Sequence, residues 1–249
     1  MSGHSKWSTI KRAKGAKDAA RGKLFSRLIK EITVAARDGG GDADANPRLR
    51  LAIDKAKEGN MPNDNIKRAI QRGTGEIEGA AYEENTYEGY GPGGVAFLIE
   101  TITDNKNRTV AEVRHIFSKY NGNLAENGAV SWKFDRKGII EVPNTMSEDD
   151  LMMVAIEAGA EDIDPGEEMH QIVTGPTDLD SVKKNLEAQG IEIKESSLQM
   201  IPQNTIAVGD SEAETIIKLS DALEDHDDVQ AVYSDFEIDD AILEKLNAG

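Results

Sequence analysis

Residues 139–200 read IIEVPNTMSEDDLMMVAIEAGAEDIDPGEEMHQIVTGPTDLDSVKKNLEAQGIEIKESSLQM, and their pattern decides the fold. Short runs at Ile139–Val142, Glu161–Asp164, Met169–Thr174 and Ile191–Leu198 predict strands, while periodic stretches at Glu148–Ala158 and Leu179–Gln189 predict helices. The acidic Glu148-Asp149-Asp150 run suits a helical first turn, where carboxylates offset the helix dipole. The order is βαββαβ, the ferredoxin-like split motif, joined by the short connections that compact domains prefer.

Working outward, Val95–Thr103 predicts a buried strand and Thr109–Tyr120 a helix with Val110, Val113, Ile116 and Phe117 inward. Ala129–Phe134 predicts a strand, Glu212–Leu223 a helix and Val229–Phe236 a strand. With residues 139–200 set aside, these segments form an interrupted version of the same plan. The expected architecture is therefore multidomain α+β, with a ferredoxin-like domain over 138–204 inserted into an α+β domain made of 79–137 and 205–249. The Gly73-Thr74-Gly75 step closes a separate N-terminal domain over 1–78.

That first domain predicts three helices. From Lys23 onward, Phe25, Leu28, Ile29, Ile32 and Ala36 fall within a sector of about 100° on a helical wheel, with Lys23, Arg27, Lys30 and Arg37 opposite. The Gly39-Gly40-Gly41 run ends it. Asn46-Pro47 supplies an N-cap and a first-turn proline for a second helix carrying Leu49, Ala52, Ile53 and Ala56. A third begins near Asn63 or Asp64, buries Ile66, Ala69 and Ile70, and turns Lys67, Arg68 and Arg72 outward. Residues 2–22 lack apolar periodicity and read as a loosely ordered arm.

Charge follows the same division. The whole chain of 249 residues carries −17, which on its own argues against a polyanionic partner. Residues 1–74 hold 17 Lys+Arg against 8 Asp+Glu, a charge of +9, whereas residues 75–249 hold 12 against 38, a charge of −26. A solvated surface normally mixes both signs. Residues 1–37 instead carry ten bases and only Asp18 and Glu31 as acids. A basic helical module on an acidic body is the pattern of a nucleic-acid binder, with phosphate contacts that release counterions. The candidate contacts are His4, Lys6, Trp7, Lys11, Arg12, Lys14, Lys17 and Arg21 in the arm, then Lys23, Arg27 and Lys30, then Lys67, Arg68 and Arg72. Trp7 and His4 can stack on bases, and Trp7 can equally fold back as a staple on the helical bundle.

Other chemistries lack their residues. Without cysteine there are no disulfides, thiolate zinc sites or cysteine nucleophiles. His4, His115, His170 and His226 show no metal-binding spacing, and no Gly-x-Ser-x-Gly elbow occurs. Gly15 to Gly22-Lys23 fails as a phosphate loop in glycine spacing and in the residue after lysine. The Asp42-to-Asn46 run fails as a calcium loop, with Pro47 where glycine is needed and Ile53 where glutamate is needed. Gly91, Pro92, Gly93 and Gly94 precede a strand, so they read as a turn, with close approach to a partner as the alternative. The longest apolar run, Val95–Ile99, is far short of the roughly 20 residues of a membrane span. No secretory pattern opens the chain. A monomeric cytoplasmic protein is expected, without catalytic step, metal, cofactor, small-molecule substrate or membrane partner.

Several stretches are shared with one family. Met1-Ser2-Gly3-His4-Ser5-Lys6-Trp7, Arg50-Leu51-Ala52-Ile53, Asn60-Met61-Pro62, Tyr87-Glu88-Gly89-Tyr90-Gly91-Pro92-Gly93-Gly94 and Asn107-Arg108-Thr109 together resemble the YebC/PmpR family over essentially the whole chain. The resemblance implies a helical N-terminal domain, two α+β domains and a non-enzymatic regulator of gene expression. It implies either a DNA-binding transcriptional regulator or a ribosome-associated translation factor that contacts ribosomal RNA, as mitochondrial relatives activate translation. A protein-interaction scaffold is a third class that an acidic body permits.

Overall fold

A computed structural model describes residues 17–166, 168–239 and 241–242. Its first helices are α1 (Lys17–Gly39), α2 (Pro47–Glu58) and α3 (Asn63–Gly73). There follow β1 (Glu83–Tyr90), β2 (Ala96–Thr103), α4 (Lys106–Lys119) and β3 (Asn123–Leu124). Next come β4 (Phe134–Pro143), α5 (Glu148–Ala158), β5 (Asp162–Asp164), β6 (Met169–Thr174), α6 (Leu179–Ala188) and β7 (Glu195–Pro202). The chain closes with β8 (Ile206–Val208), α7 (Asp210–Glu224), β9 (Val229–Ser234) and β10 (Phe236–Ile238). The fold is multidomain α+β: three N-terminal helices and two ferredoxin-like domains, one inserted in the other. Two compact units result, one of Lys133–Asn204 and one holding both the helices and the interrupted α+β domain.

Within the insert, the four strands stand in the order β5-β6-β4-β7, every neighbour antiparallel. By position in the βαββαβ run, that is second, third, first, fourth. Ser147 caps α5 by accepting from the Asp150 N–H at 3.2 Å, and α5 buries Leu151, Ala155 and Ala158. Ile140 and Ile172, paired across β4 and β6, are both fully buried.

The interrupted domain repeats this sheet with one change. Its order is β3-β1-β2-β9. Relative to the insert, β2 stands first, β3 second and β9 fourth, and the third place is filled by β1 from ahead of β2 in the chain. Phe97, Phe117 and Phe236 centre its core, with Phe97 and Phe117 edge to face at 5.9 Å between ring centres. A two-stranded parallel ribbon of β8 and β10 completes the domain.

The three helices share a separate core of Leu28, Ile32, Ala36, Leu49, Ala56, Met61, Ile66 and Ala69. Asn46 caps α2 as its sequence predicts, accepting from the Leu49 N–H at 3.1 Å, and its amide donates to the Ala35 carbonyl at 2.8 Å. One buried side chain thus ties the end of α1 to the start of α2. At Gly73 a Cβ would lie 2.3 Å from the Thr33 carbonyl oxygen, so α3 ends against α1 only because that residue is glycine.

Four sequence expectations are corrected. Helix α1 begins at Lys17 rather than Lys23, so part of the expected arm is helical. Of the strand expected over 129–134 only Phe134 is extended into one: Glu88 accepts from the backbone N–H groups of Gly128, Val130 and Ser131 at 2.6–2.9 Å and folds the preceding residues into turns. The strand begins at Phe134. Strand β1 forms where the sequence predicts none, and the last strand of the insert lies at 195–202 rather than 191–198.

Candidate nucleic-acid interface

The cationic side of α1 is the first place to look, and it is occupied by the chain's own acidic turn. Lys23 Nζ lies 3.2 Å from Asp225 Oδ1 and donates to the Asp225 carbonyl at 3.1 Å. Arg27 donates to the Glu224 carbonyl. Burial lowers the Arg27 pKa against the opposing pull of Glu224, Asp225 and Asp227. Lys30 Nζ sits 2.7 Å from Asp228 Oδ1 and 2.9 Å from the Asp227 carbonyl. The stripe expected to face a polyanion therefore faces the turn between α7 and β9.

Asp228 is the centre of this contact. Its side chain is 4% exposed, and its second oxygen accepts from Arg108 at 2.8 Å, Thr109 at 2.8 Å and Thr103 at 3.1 Å. Burial alone would raise the carboxyl's pKa, but hydrogen bonds from Lys30, Arg108 and Thr109 outweigh it and hold the pKa well below the usual range. One carboxylate thus joins α1 to the beginning of α4. A second tether is Arg48, which bonds Glu31 on α1 at 2.8 Å and also Glu84 on β1.

Among the described residues, Glu112, His226 and Asp228 form the one group whose ligand atoms approach within 4.8 Å of each other. Their hydrogen bonds argue against a metal. The Asp228 N–H donates to His226 Nδ1 at 3.1 Å, so Nε2 carries the ring proton and donates to Glu112 at 2.8 Å. Both Asp228 oxygens already face cations. The trio is a structural relay from α7–β9 to α4.

Different cations remain exposed. Lys67, Arg68 and Arg72 stand on the outer side of α3, opposite Ile66 and Ala69, with no ion-pair partner among the described residues. Arg21 is exposed on α1 above the Phe25 ring, 5.7 Å from its centre. His4, Lys6, Trp7, Lys11, Arg12 and Lys14 lie outside the described residues; of Lys17 only the helical backbone is described. Gly91–Gly94 form the hairpin link between β1 and β2. Gly93 and Gly94 have φ of 68° and 77°, and a Cβ on Gly91 would lie 2.8 Å from the Phe97 ring, so the loop's own geometry explains its glycines.

The sequence reading missed the outer face of α4. Arg114, His115 and Lys119 are exposed there, and α4 as a whole carries Lys106, Arg108, Arg114 and Lys119 against the single acid Glu112. A count of charge over those 14 residues would have found it.

Fold and surface together define a class: an α+β protein in which a basic helical module is pinned to an acidic body. Residues 5–76 match the TACO1/YebC protein N-terminal domain and residues 82–236 the TACO1/YebC second and third domain. The chain belongs to the TACO1/YebC family. A protein of Desulfotalea psychrophila named a probable transcriptional regulatory protein is 59% identical over 248 residues, 99% of each chain. Another so named, from Syntrophus aciditrophicus, is 58% identical over 250 residues and the full length of both. A crystal structure of a conserved hypothetical protein from Aquifex aeolicus superimposes with a TM-score of 0.84 at 52% identity, covering 91% of this chain and 94% of that one.

Proposed function

We propose that this protein is a non-enzymatic, nucleic-acid-binding regulator of gene expression, in the first instance a DNA-binding transcriptional regulator. The carrying observation is the outer side of α3, where Lys67, Arg68 and Arg72 are exposed without ion-pair partners among the described residues. They sit in a segment whose charge is +9, while the rest of the chain is acidic. The names of the relatives support a regulatory role. In this reading α3 contacts phosphates together with the basic residues ahead of α1, and the acidic body limits where nucleic acid can lie.

One observation favours a second reading, a ribosome-associated translation factor. A recognition helix needs a free polar face to enter a groove, and the polar face of α1 is docked on residues 224–228. Backbone contacts without a base-reading helix suit folded RNA as well as duplex DNA.

Titration of the full chain with a DNA duplex and an RNA hairpin tests the proposal. Lys67→Glu/Arg68→Glu/Arg72→Glu should weaken binding by about tenfold or more at about 100 mM salt and flatten its salt dependence. Unchanged affinity overturns the α3 assignment. Sedimentation separates the two readings: co-migration with ribosomes at low salt, reversed at high salt, supports the translation factor, whereas free protein that footprints a promoter supports the transcriptional one.

A further inference from the structure

We propose that the outer face of α4, built on Arg114, His115 and Lys119, is a second surface that grips the phosphodiester backbone of the bound nucleic acid. The inference rests on the nucleic-acid reading and extends it from the basic module onto the acidic body.

Charge is the first support. Residues 75–249 carry 38 acids and 12 Lys+Arg, yet four of those twelve fall within the 14 residues of α4 beside one acid. Of the other helices there, α6 is balanced at two bases and two acids, and the remaining two have the opposite character. Helix α5 holds four acids and no base, and α7 holds five acids and Lys218 alone. Helix α4 is thus the one helix of that segment, among the described residues, with an excess of bases.

Placement is the second support. Thr109, Val113 and Phe117 bury the inner side of α4. Ala111, Arg114, His115 and Ser118, at positions i, i+3, i+4 and i+7, line the opposite side, and all four are exposed. Ala111 and Ser118 keep the ridge low between the cations, and the Ser118 hydroxyl is turned back onto the Arg114 carbonyl at 2.9 Å. A backbone can therefore come close. Lys119 Nζ lies over the Tyr120 ring, 5.2 Å from its centre, and the residue remains exposed to an incoming anion.

The neighbouring charges are already matched, and that leaves these cations for an external anion. Arg108 answers Asp104 and Asp228 at 3.0 and 2.8 Å, and Glu112 accepts from His226. Arg114, His115 and Lys119 have no ion-pair partner among the described residues. Asp228 holds Arg108 of α4 and Lys30 of α1 on its two oxygens, so the face has a fixed position relative to the helical module.

The test compares the full-length protein with Arg114→Ala/Lys119→Ala and with the control Lys183→Ala/Lys184→Ala, which changes net charge equally on α6. Fluorescence anisotropy with a labelled DNA duplex and a labelled RNA hairpin is followed from about 50 to 300 mM salt. The α4 variant should bind about tenfold more weakly at about 100 mM, with the log–log salt slope reduced by about 1–2 because two phosphate contacts are lost. The control should stay within about twofold of wild type. Loss on one probe only identifies the source of the backbone. Wild-type affinity in the α4 variant on both probes, or an equal loss in the control, overturns the proposal while leaving the nucleic-acid reading intact. No binding by the wild-type protein to either probe overturns both. Unchanged melting temperatures for both variants establish that the fold is retained.

Discussion

Helices α1 and α4 both carry a row of cations, and they put it to opposite uses. On α1, Lys23, Arg27 and Lys30 close onto Glu224, Asp225, Asp227 and Asp228, and Lys30 is only 13% exposed at its side chain. On α4, Arg114 and Lys119 are exposed without ion-pair partners among the described residues, whereas Arg108 in the first turn is paired with Asp104 and Asp228. Sequence periodicity alone makes the α1 row look like the binding surface. Its partner is instead 200 residues away in the same chain. Cations that pair internally hold the fold together, and cations that remain exposed are the ones available to phosphates.

If that contrast holds, variants in the first row change stability and variants in the second change binding. Asp228→Ala should have the largest effect, a loss of about 3–5 kcal/mol, because removing one partner of a buried pair leaves Lys30 uncompensated. Urea denaturation measures it, and a loss below about 1 kcal/mol would break the distinction. The pH dependence follows from the same carboxylate. Its folded pKa lies far below the ordinary Asp value of about 3.9, so the unfolded chain takes up the proton first as pH falls. The Asp228 contribution is therefore complete above about pH 5 and is lost progressively in acid. Thermal unfolding of wild type and Asp228→Asn from about pH 7 to pH 3 should show the gap between them narrowing on acidification. A gap that widens contradicts the assignment.

Smaller effects sharpen the comparison. Lys23→Ala removes a pair whose side chains are 43% and 66% exposed, so it should cost less than about 1 kcal/mol by the same denaturation measurement. Arg114→Ala/Lys119→Ala should cost less than about 1 kcal/mol, since neither charge has an ion-pair partner among the described residues and the Lys119 contact with the Tyr120 ring is exposed.

Much of the architecture was legible because it is written in local periodicity. Helix α5 and strand β6 have the ends that the apolar pattern predicts, and Asn46-Pro47 marks the start of α2. Strand β1 was not legible. Its sequence, EENTYEGY, has no apolar alternation, and eight paired residues of β2 hold it in the sheet. Nor could local pattern show that Val130 and Ser131 bend onto the Glu88 carboxylate from 42 and 43 residues away. For the candidate site the difficulty was of another kind. Lys67, Arg68 and Arg72 stand outward as their spacing predicts, but the fate of Lys23, Arg27 and Lys30 depends on a turn that only tertiary structure brings to them. The α4 cations were visible in the sequence and were hidden by averaging over a body of −26.

The most direct test of the central claim sets a free cation cluster against an engaged one in a single binding titration. Wild type, Lys67→Glu/Arg68→Glu/Arg72→Glu and Lys23→Ala are titrated against the same DNA duplex and RNA hairpin at about 100 mM salt. The account predicts a loss of about tenfold or more for the α3 variant and affinity within about twofold of wild type for Lys23→Ala. Full affinity in the α3 variant, with the loss appearing at Lys23 instead, would contradict it.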